Sequence, residues 1–336
     1  MKLLTIIFFS IILSGNLSAQ WFWQNPLPQG NNLTDVHFVN ENLGYAVGYP
    51  AVIIKSTDGG NNWITQLNGI TNDGLLGICF ADENNGMAVG ANGIILRTTD
   101  GGDNWLSQTS SVHLQGISHI GENKWIAVGY YGVILISTDG GINWINQISG
   151  TQDHLNGIFF TDLNTGTIVG NNGTILHTTD GGNIWVHQTS GTTELLRDIF
   201  FTDAITGTIV GNNGTILHTT NGGNNWVTQI SGTTEQLWDA SFIDENNGII
   251  VGGNDFFFPG VILKTTNGGN EWVNQNNEIN GGLWGISYCE VNSFISIGFG
   301  GIILKTTDGG TNWSNQLKGI TSWLWKVFYI DLNTGF

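Results

Sequence analysis

The sequence predicts an all-β fold, a β-propeller of four-stranded antiparallel blades, on three observations. An octet ending in tryptophan recurs seven times at nearly constant spacing. The stretches between octets read as short strands rich in Ile, Val, Thr and Phe, punctuated by Asn-Gly, Asp-Gly and Asn-Thr-Gly turns. The composition, with 50 Gly and 4 Pro in 336 residues, suits repeated tight turns, and 40% hydrophobic content excludes disorder. Gly shows no triplet period, so a collagen-like chain is excluded too.

The first octet is Ser56-Thr57-Asp58-Gly59-Gly60-Asn61-Asn62-Trp63, and the others end at Trp105, Trp144, Trp185, Trp226, Trp272 and Trp313. Successive tryptophans lie 39 to 46 residues apart, the length of four short strands with tight connections. In the fourth unit, 155–160 reads as strand A, 167–170 as B, 174–178 as C and 185–188 as D. A lone blade cannot bury both faces, so blades pack against each other around a channel. The octet has the pattern of an Asp-box, Ser/Thr-x-Asp-x-Gly-x-x-Trp. Its third residue is Asp58, Asp100, Asp139, Asp180, Asn221, Asn267 or Asp308. Asn accepts the same hydrogen bonds but carries no charge, so the box is expected to be architectural.

The ends carry separate signals. Lys2, the apolar run 3–13 and the small residues before Ala19 have the layout of a signal peptide over 1–19, with the propeller over 20–336. Eleven apolar residues are too short for a membrane-spanning helix, and no later run is long enough. The expected location is therefore outside the cytoplasm: extracellular, cell-surface or periplasmic. Cys79 and Cys289 sit in non-equivalent repeat positions and read as two buried thiols, not a bridge. Residues 21–24 resemble a strand D, and 324–336 resemble the opening of an eighth unit. Seven blades are favoured, eight would also use these pieces, and the chain reads as truncated at its C-terminal end.

Charge narrows the partner class. Asp plus Glu total 26 against 9 Lys plus Arg, a net charge of −17, so no nucleic-acid partner is expected. Seventeen of the 26 acids fall in A–B turns or boxes, which makes the charge mainly a habit of one face. The opposite face, built from D–A and B–C loops, holds the non-repetitive chemistry. After the first Leu of each strand A stand Thr34, Leu76, Gln115, Asn156, Arg197, Trp238, Trp284 and Trp325. The next position holds Asp35, Gly77, Gly116, Gly157, Asp198, Asp239, Gly285 and Lys326. The B–C loops add Tyr49, Tyr130, Tyr131 and Phe299, and an insertion adds Phe256, Phe257 and Phe258. Aromatic rings beside Arg197, Asp198 and Asp239 are the makings of a shallow site for a peptide or sugar. The competing reading is that these tryptophans only pack between blades.

Catalysis has less support. A sialidase grips its substrate carboxylate with three arginines, and this chain has two, Arg97 and Arg197. Asp198 and Asp239 occupy the same slot of adjacent units, which keeps a carboxylate-pair glycoside hydrolase as the alternative. His177 and His218 are repeat-equivalent on separate units, and every Gly-Gly follows a box, not a phosphate-loop pattern. No metal and no cofactor is expected.

The recurring Gly-x-Ile-x-Phe, Val-Gly and Gly-x-Ile-Leu-x-Thr-Thr-Asp-Gly-Gly-x-x-Trp segments resemble the Ycf48/Hcf136-like propellers, related through their boxes to BNR repeats. The resemblance covers Trp21 to Phe336. It implies an assembly factor that binds a photosystem protein through an arginine-rich surface, and this chain departs from that in arginine content. The expectation is a secreted, non-catalytic scaffold that binds a protein or carbohydrate on the D–A/B–C face.

Overall fold

The computed structural model describes residues 31–68, 73–121, 123–254, 260–275, 281–290 and 292–316, with two short paired strands, Tyr329–Asp331 and Thr334–Gly335, beyond them. Seven four-stranded antiparallel sheets follow one another at 32–68, 75–109, 114–147, 155–188, 196–229, 237–274 and 283–315, here blades 1 to 7. Each sheet runs A-B-C-D in chain order, as short connections between consecutive antiparallel strands dictate.

Burial follows the pattern in the residues. Strand B is a short apolar run bounded by glycines, such as Gly166–Gly170, and it is buried throughout because it has sheet on both edges and blades on both faces. Strand D, such as Val186–Gln188, lies outermost and exposed. Seven apolar clusters fill the spaces between neighbouring blades. One of them joins Leu33, Val36 and Ile54 of blade 1 to Ile295, Ile297 and Ile303 of blade 7, closing the ring. Across that seam the Gly300 amide donates to Asn32 Oδ1 at 2.9 Å, and Lys305 Nζ donates to the Gly59 carbonyl at 2.7 Å.

The ring therefore has seven blades, and the eight-blade alternative does not hold. Blade 1 supplies its own strand D, Ile64–Asn68, and blade 7 meets blade 1 directly, so no further sheet is required. The strand-D reading of 21–24, the signal segment 1–19 and Trp325 lie outside the described residues.

Each box ties its own hairpin together through hydrogen bonds. In all seven, the Ser or Thr hydroxyl donates to the Asx side chain at 2.8–3.1 Å and accepts the second Gly amide at 2.8–3.0 Å. Asn221 and Asn267 accept the amides of Asn225 and Glu271 at 3.0 Å, doing what Asp58 does for Asn62. Box tryptophans enter the seam with the preceding blade. Trp63, Trp105, Trp185, Trp226 and Trp272 also meet the closing Phe of their own strand A edge-on. The first box Gly bonds the A–B turn of the same blade, for example the Gly101 amide to the Asn84 carbonyl at 2.9 Å, so these loops share one face. On the other face the B–C turns of blades 2 to 7 bond the residue leading into their own strand A, as the Asn171 amide does to the His154 carbonyl at 2.8 Å. Both cysteines are free thiols, and burial pushes them up to about 12 (Cys79) and about 11 (Cys289).

Candidate binding site at the channel mouth

All seven A strands break register at the same place, immediately after the leading Leu. Each break is a bulge, two residues facing one, so the extra residue leaves the ladder and its side chain is re-aimed. The extra residues are Thr34, Leu76, Gln115, Asn156, Arg197, Trp238 and Trp284. The slot picked out in the sequence is thus a ring of seven side chains. All seven line one cavity of about 540 Å³, together with Asp35, Asp198, Asp239, His113 and Tyr130.

One wall is built around Arg197. Its guanidinium carbon lies 3.4 Å from the Trp238 ring centroid, its Nε donates to Asn212 Oδ1 at 2.9 Å and its Nη2 to Gln236 Oε1 at 2.8 Å. Burial lowers its pKa to about 10. Trp238 donates its indole N–H to the Gly253 carbonyl at 3.0 Å and leans on Trp284, whose ring meets Phe299 edge-on at 5.8 Å. These two tryptophans pack on their neighbours and still face the cavity. The indole N–H of Trp284 is buried without a hydrogen-bond acceptor.

The opposite wall is a stack of rings from the loops of blades 3 and 4. Tyr130 lies between His113 and His154, with centroids 4.2 and 4.0 Å away and nearly parallel planes. His154 Nδ1 accepts the Tyr131 amide at 3.1 Å, which fixes the orientation of the ring. Burial, then the neighbouring His154, lowers the pKa of His113. Tyr131 stands at φ 58, where the equivalent turn residues are Asn92, Asn172, Asn213 and Gly300. Only Gly, Asn and Asp visit that region routinely.

The three aspartates staple blades. Asp35 accepts the Val36 amide at 2.8 Å and the Ile78 amide of blade 2 at 2.7 Å. Asp239 does the same for Ala240 and for Ile286 of blade 7, each at 2.7 Å. Asp198 reaches the Ala240 amide of blade 6 at 3.4 Å. Burial in the channel wall, then the charge of Asp239, raises Asp35 to about 7. Burial also raises Asp198 and Asp239, and the neighbouring Asp198 charge raises Asp239 further.

Comparison with known proteins now adds a family. Its profile, described as photosynthesis system II assembly factor YCF48, matches three tandem stretches, 65–150, 147–231 and 228–319, which together span well over half the chain. The chain belongs to the YCF48 family. Among solved structures, YCF48 bound to D1 peptide is 20% identical, with a TM-score of 0.68, 83% of this chain covered and 94% of that one. YCF48 from Cyanidioschyzon merolae gives 20% identity and a TM-score of 0.68 over 84% of this chain and 97% of that one. The Niastella koreensis GH74 enzyme superposes at a TM-score of 0.70 with 14% identity, over 86% of this chain and 55% of that chain. Likeness at these identities establishes the fold alone. No curated protein matches the sequence.

Within this YCF48-family ring, the expected residues divide three ways. Arg197, Asp198, Trp238, Asp239, Trp284 and Tyr130 come together at the mouth. Tyr131, 62% exposed, instead borders a separate cavity of about 410 Å³ along residues 146–152. Phe256, Phe257, Phe258 and Trp325 lie outside the described residues. Sequence reasoning missed His113, His154, Asn212 and Gln236. The available signal was the position just before the leading Leu, where His113, His154 and Gln236 all stand.

Proposed function

We propose that this chain is a non-catalytic scaffold whose channel mouth receives a segment of a protein partner. The observation that carries the reading is the Arg197–Trp238 stack beside Trp284, facing an open cavity across from the His113–Tyr130–His154 stack. Large, rigid rings around a few fixed polar groups suit recognition of an extended chain. The peptide ligand of the solved YCF48 supports the class of partner. It does not carry over the identity of that peptide, because this chain holds two arginines in all.

A hydrolase reading draws on the GH74 likeness and the carboxylates of Asp198 and Asp239. Geometry opposes it. Glycosidase carboxyls stand about 5–5.5 Å apart in retaining enzymes and about 6.5–9.5 Å in inverting ones. Here both carboxyls are committed to backbone amides that join blades, Asp198 to Ala240 and Asp239 to Ala240 and Ile286, which ties them to the channel wall instead of leaving them free to flank a glycosidic bond. The test is a peptide-display selection on the whole chain, followed by Trp238→Ala and Trp284→Ala. Selected peptides are expected to bind and to lose affinity about tenfold or more in either variant. Polysaccharide hydrolysis that disappears in Asp198→Asn would overturn the scaffold reading.

The layout of residues 1–19 supports export as the setting of this binding. Protein recovered outside the cell with Gln20 as its first residue is the expected result, and intact Met1 on cytosolic protein is the contrary one.

A further inference from the structure

We infer that Arg197 selects the segment, and that the segment presents a carboxylate to it with an apolar or aromatic neighbour against Trp238 and Trp284. This rests on the protein-segment reading above and specifies its chemistry.

Three observations lead there. First, the fold does not require an arginine at this bulge, since the equivalent positions hold Thr34, Leu76, Gln115, Asn156, Trp238 and Trp284. The other arginine, Arg97, has an architectural task, with its Nε donating to the Gly140 carbonyl in the box of the next blade at 2.6 Å. Second, the guanidinium is fixed but not neutralised. Its two hydrogen bonds go to the neutral amide side chains of Asn212 and Gln236, and its plane is held against an indole. Guanidinium carries five N–H donors, so the rest of the fork remains available for a planar, two-oxygen acceptor. Burial is the cause of its lowered pKa, and among the described residues no acid offsets it. Third, the cavity's own carboxyls are committed elsewhere. Both oxygens of Asp35 and of Asp239 accept backbone amides, and Asp198 is tied to Ala240. A carboxylate arriving on a partner supplies the missing counter-charge in a geometry that Lys cannot match.

The sequence offers a direct readout, because the chain contains two arginines and its arginine Nε–H spectrum therefore has two side-chain signals. Arg97→Lys assigns them. Three acetylated peptides serve as probes on the whole chain: Gly-Phe-Glu-Gly amide, Gly-Phe-Gln-Gly amide, and Gly-Phe-Gln-Gly with a free carboxyl terminus. The two acidic peptides are expected to move the Arg197 signal and to bind about tenfold more tightly than the neutral one. The ranking of those two distinguishes a side-chain carboxylate from a chain terminus. Arg197→Gln is expected to reduce both to the level of the neutral peptide, and Arg197→Lys to recover only part of the difference. The inference is overturned if the neutral peptide binds as tightly as the acids, or if acids bind while the Arg197 signal stays in place. In both cases indole signals at the mouth still move, so the protein-segment reading survives. If no probe moves either the arginine or the indoles, the inference also falls, and the display selection decides the broader reading separately.

Discussion

Asp58 shows how a charged residue in this chain can be structural. Its carboxylate takes the Ser56 hydroxyl, the Asn62 amide and the Asn62 side chain, and these bonds hold its pKa low against the opposing effect of burial. Hydrogen bonds, not charge, are what the box needs, as Asn221 and Asn267 demonstrate. Asp58→Asn is therefore expected to leave thermal stability nearly unchanged, whereas Asp58→Ala should cost about 1 kcal/mol. Equal losses in the two variants, read by denaturant melts, would contradict this account. Tyr131 is the opposite case, a residue whose backbone conformation the repeat gives to Asn or Gly. Tyr131→Asn should relieve strain and raise stability by about 1 kcal/mol. A loss of stability on that change would mean that its ring contact with His154 outweighs the strain.

At the level of strands, the repeated bulge converts a propeller into a binding surface, because it frees one side chain per blade to face the channel. The next residue then chooses between close approach and a staple. In blades 2 to 4 it is Gly77, Gly116 or Gly157, where an added Cβ would press on a carbonyl of the next blade. In blades 1, 5 and 6 it is an aspartate that accepts an amide of the next blade. These staples have a pH signature. Asp35 rises from an ordinary 3.8 to about 7 in the fold, and Asp198 and Asp239 also rise. The contribution of Asp35 is full below about pH 4 and is lost as pH rises through about 7, and those of Asp198 and Asp239 are lost in the same direction. Box and turn aspartates behave oppositely. Asp139 and Asp308 are lowered to about 2 by hydrogen bonds, so their contribution is lost as pH falls from about 4 towards 2. Melting temperature is expected to peak near pH 4 to 5 and decline towards pH 8, with a shallower decline in Asp239→Asn. An unchanged slope in that variant would rule out the staple as its source.

The slot after the leading Leu was legible in the sequence because the repeat aligned it without any coordinates, and Arg197, Trp238 and Trp284 fell into it. The proximity of Asp198 and Asp239 was not legible. It depends on how closely adjacent blades approach at the channel, which the spacing of residues along the chain does not encode. The His113–Tyr130–His154 stack was hidden for a related reason. Its rings come from two adjacent blades and from two different loop positions, and the visible trace was a Tyr-Tyr pair where other turns hold Asn.

Across the whole molecule, closure is the feature on which stability depends. The blade 7–blade 1 seam packs Ile295 and Ile297 against Leu33 and Ile54, with Lys305 reaching the first box. Ile295→Ala removes buried methyl groups at that seam and is expected to cost about 2–4 kcal/mol. Unfolding should remain a single transition if the ring melts as one unit, and a separate early transition would show a blade detaching instead. The same ring fixes the distance between its two aromatic walls, so the site is a property of the closed molecule and not of one blade.

The central claim is that this mouth holds a segment of a protein partner. It is tested most directly by measuring, with calorimetry, the affinity of a display-selected peptide for the unaltered chain and for Trp238→Ala. The account predicts saturable binding that weakens at least about tenfold in the variant while the melting curve keeps a single transition. Undiminished binding to Trp238→Ala would place the partner elsewhere on the ring and contradict it.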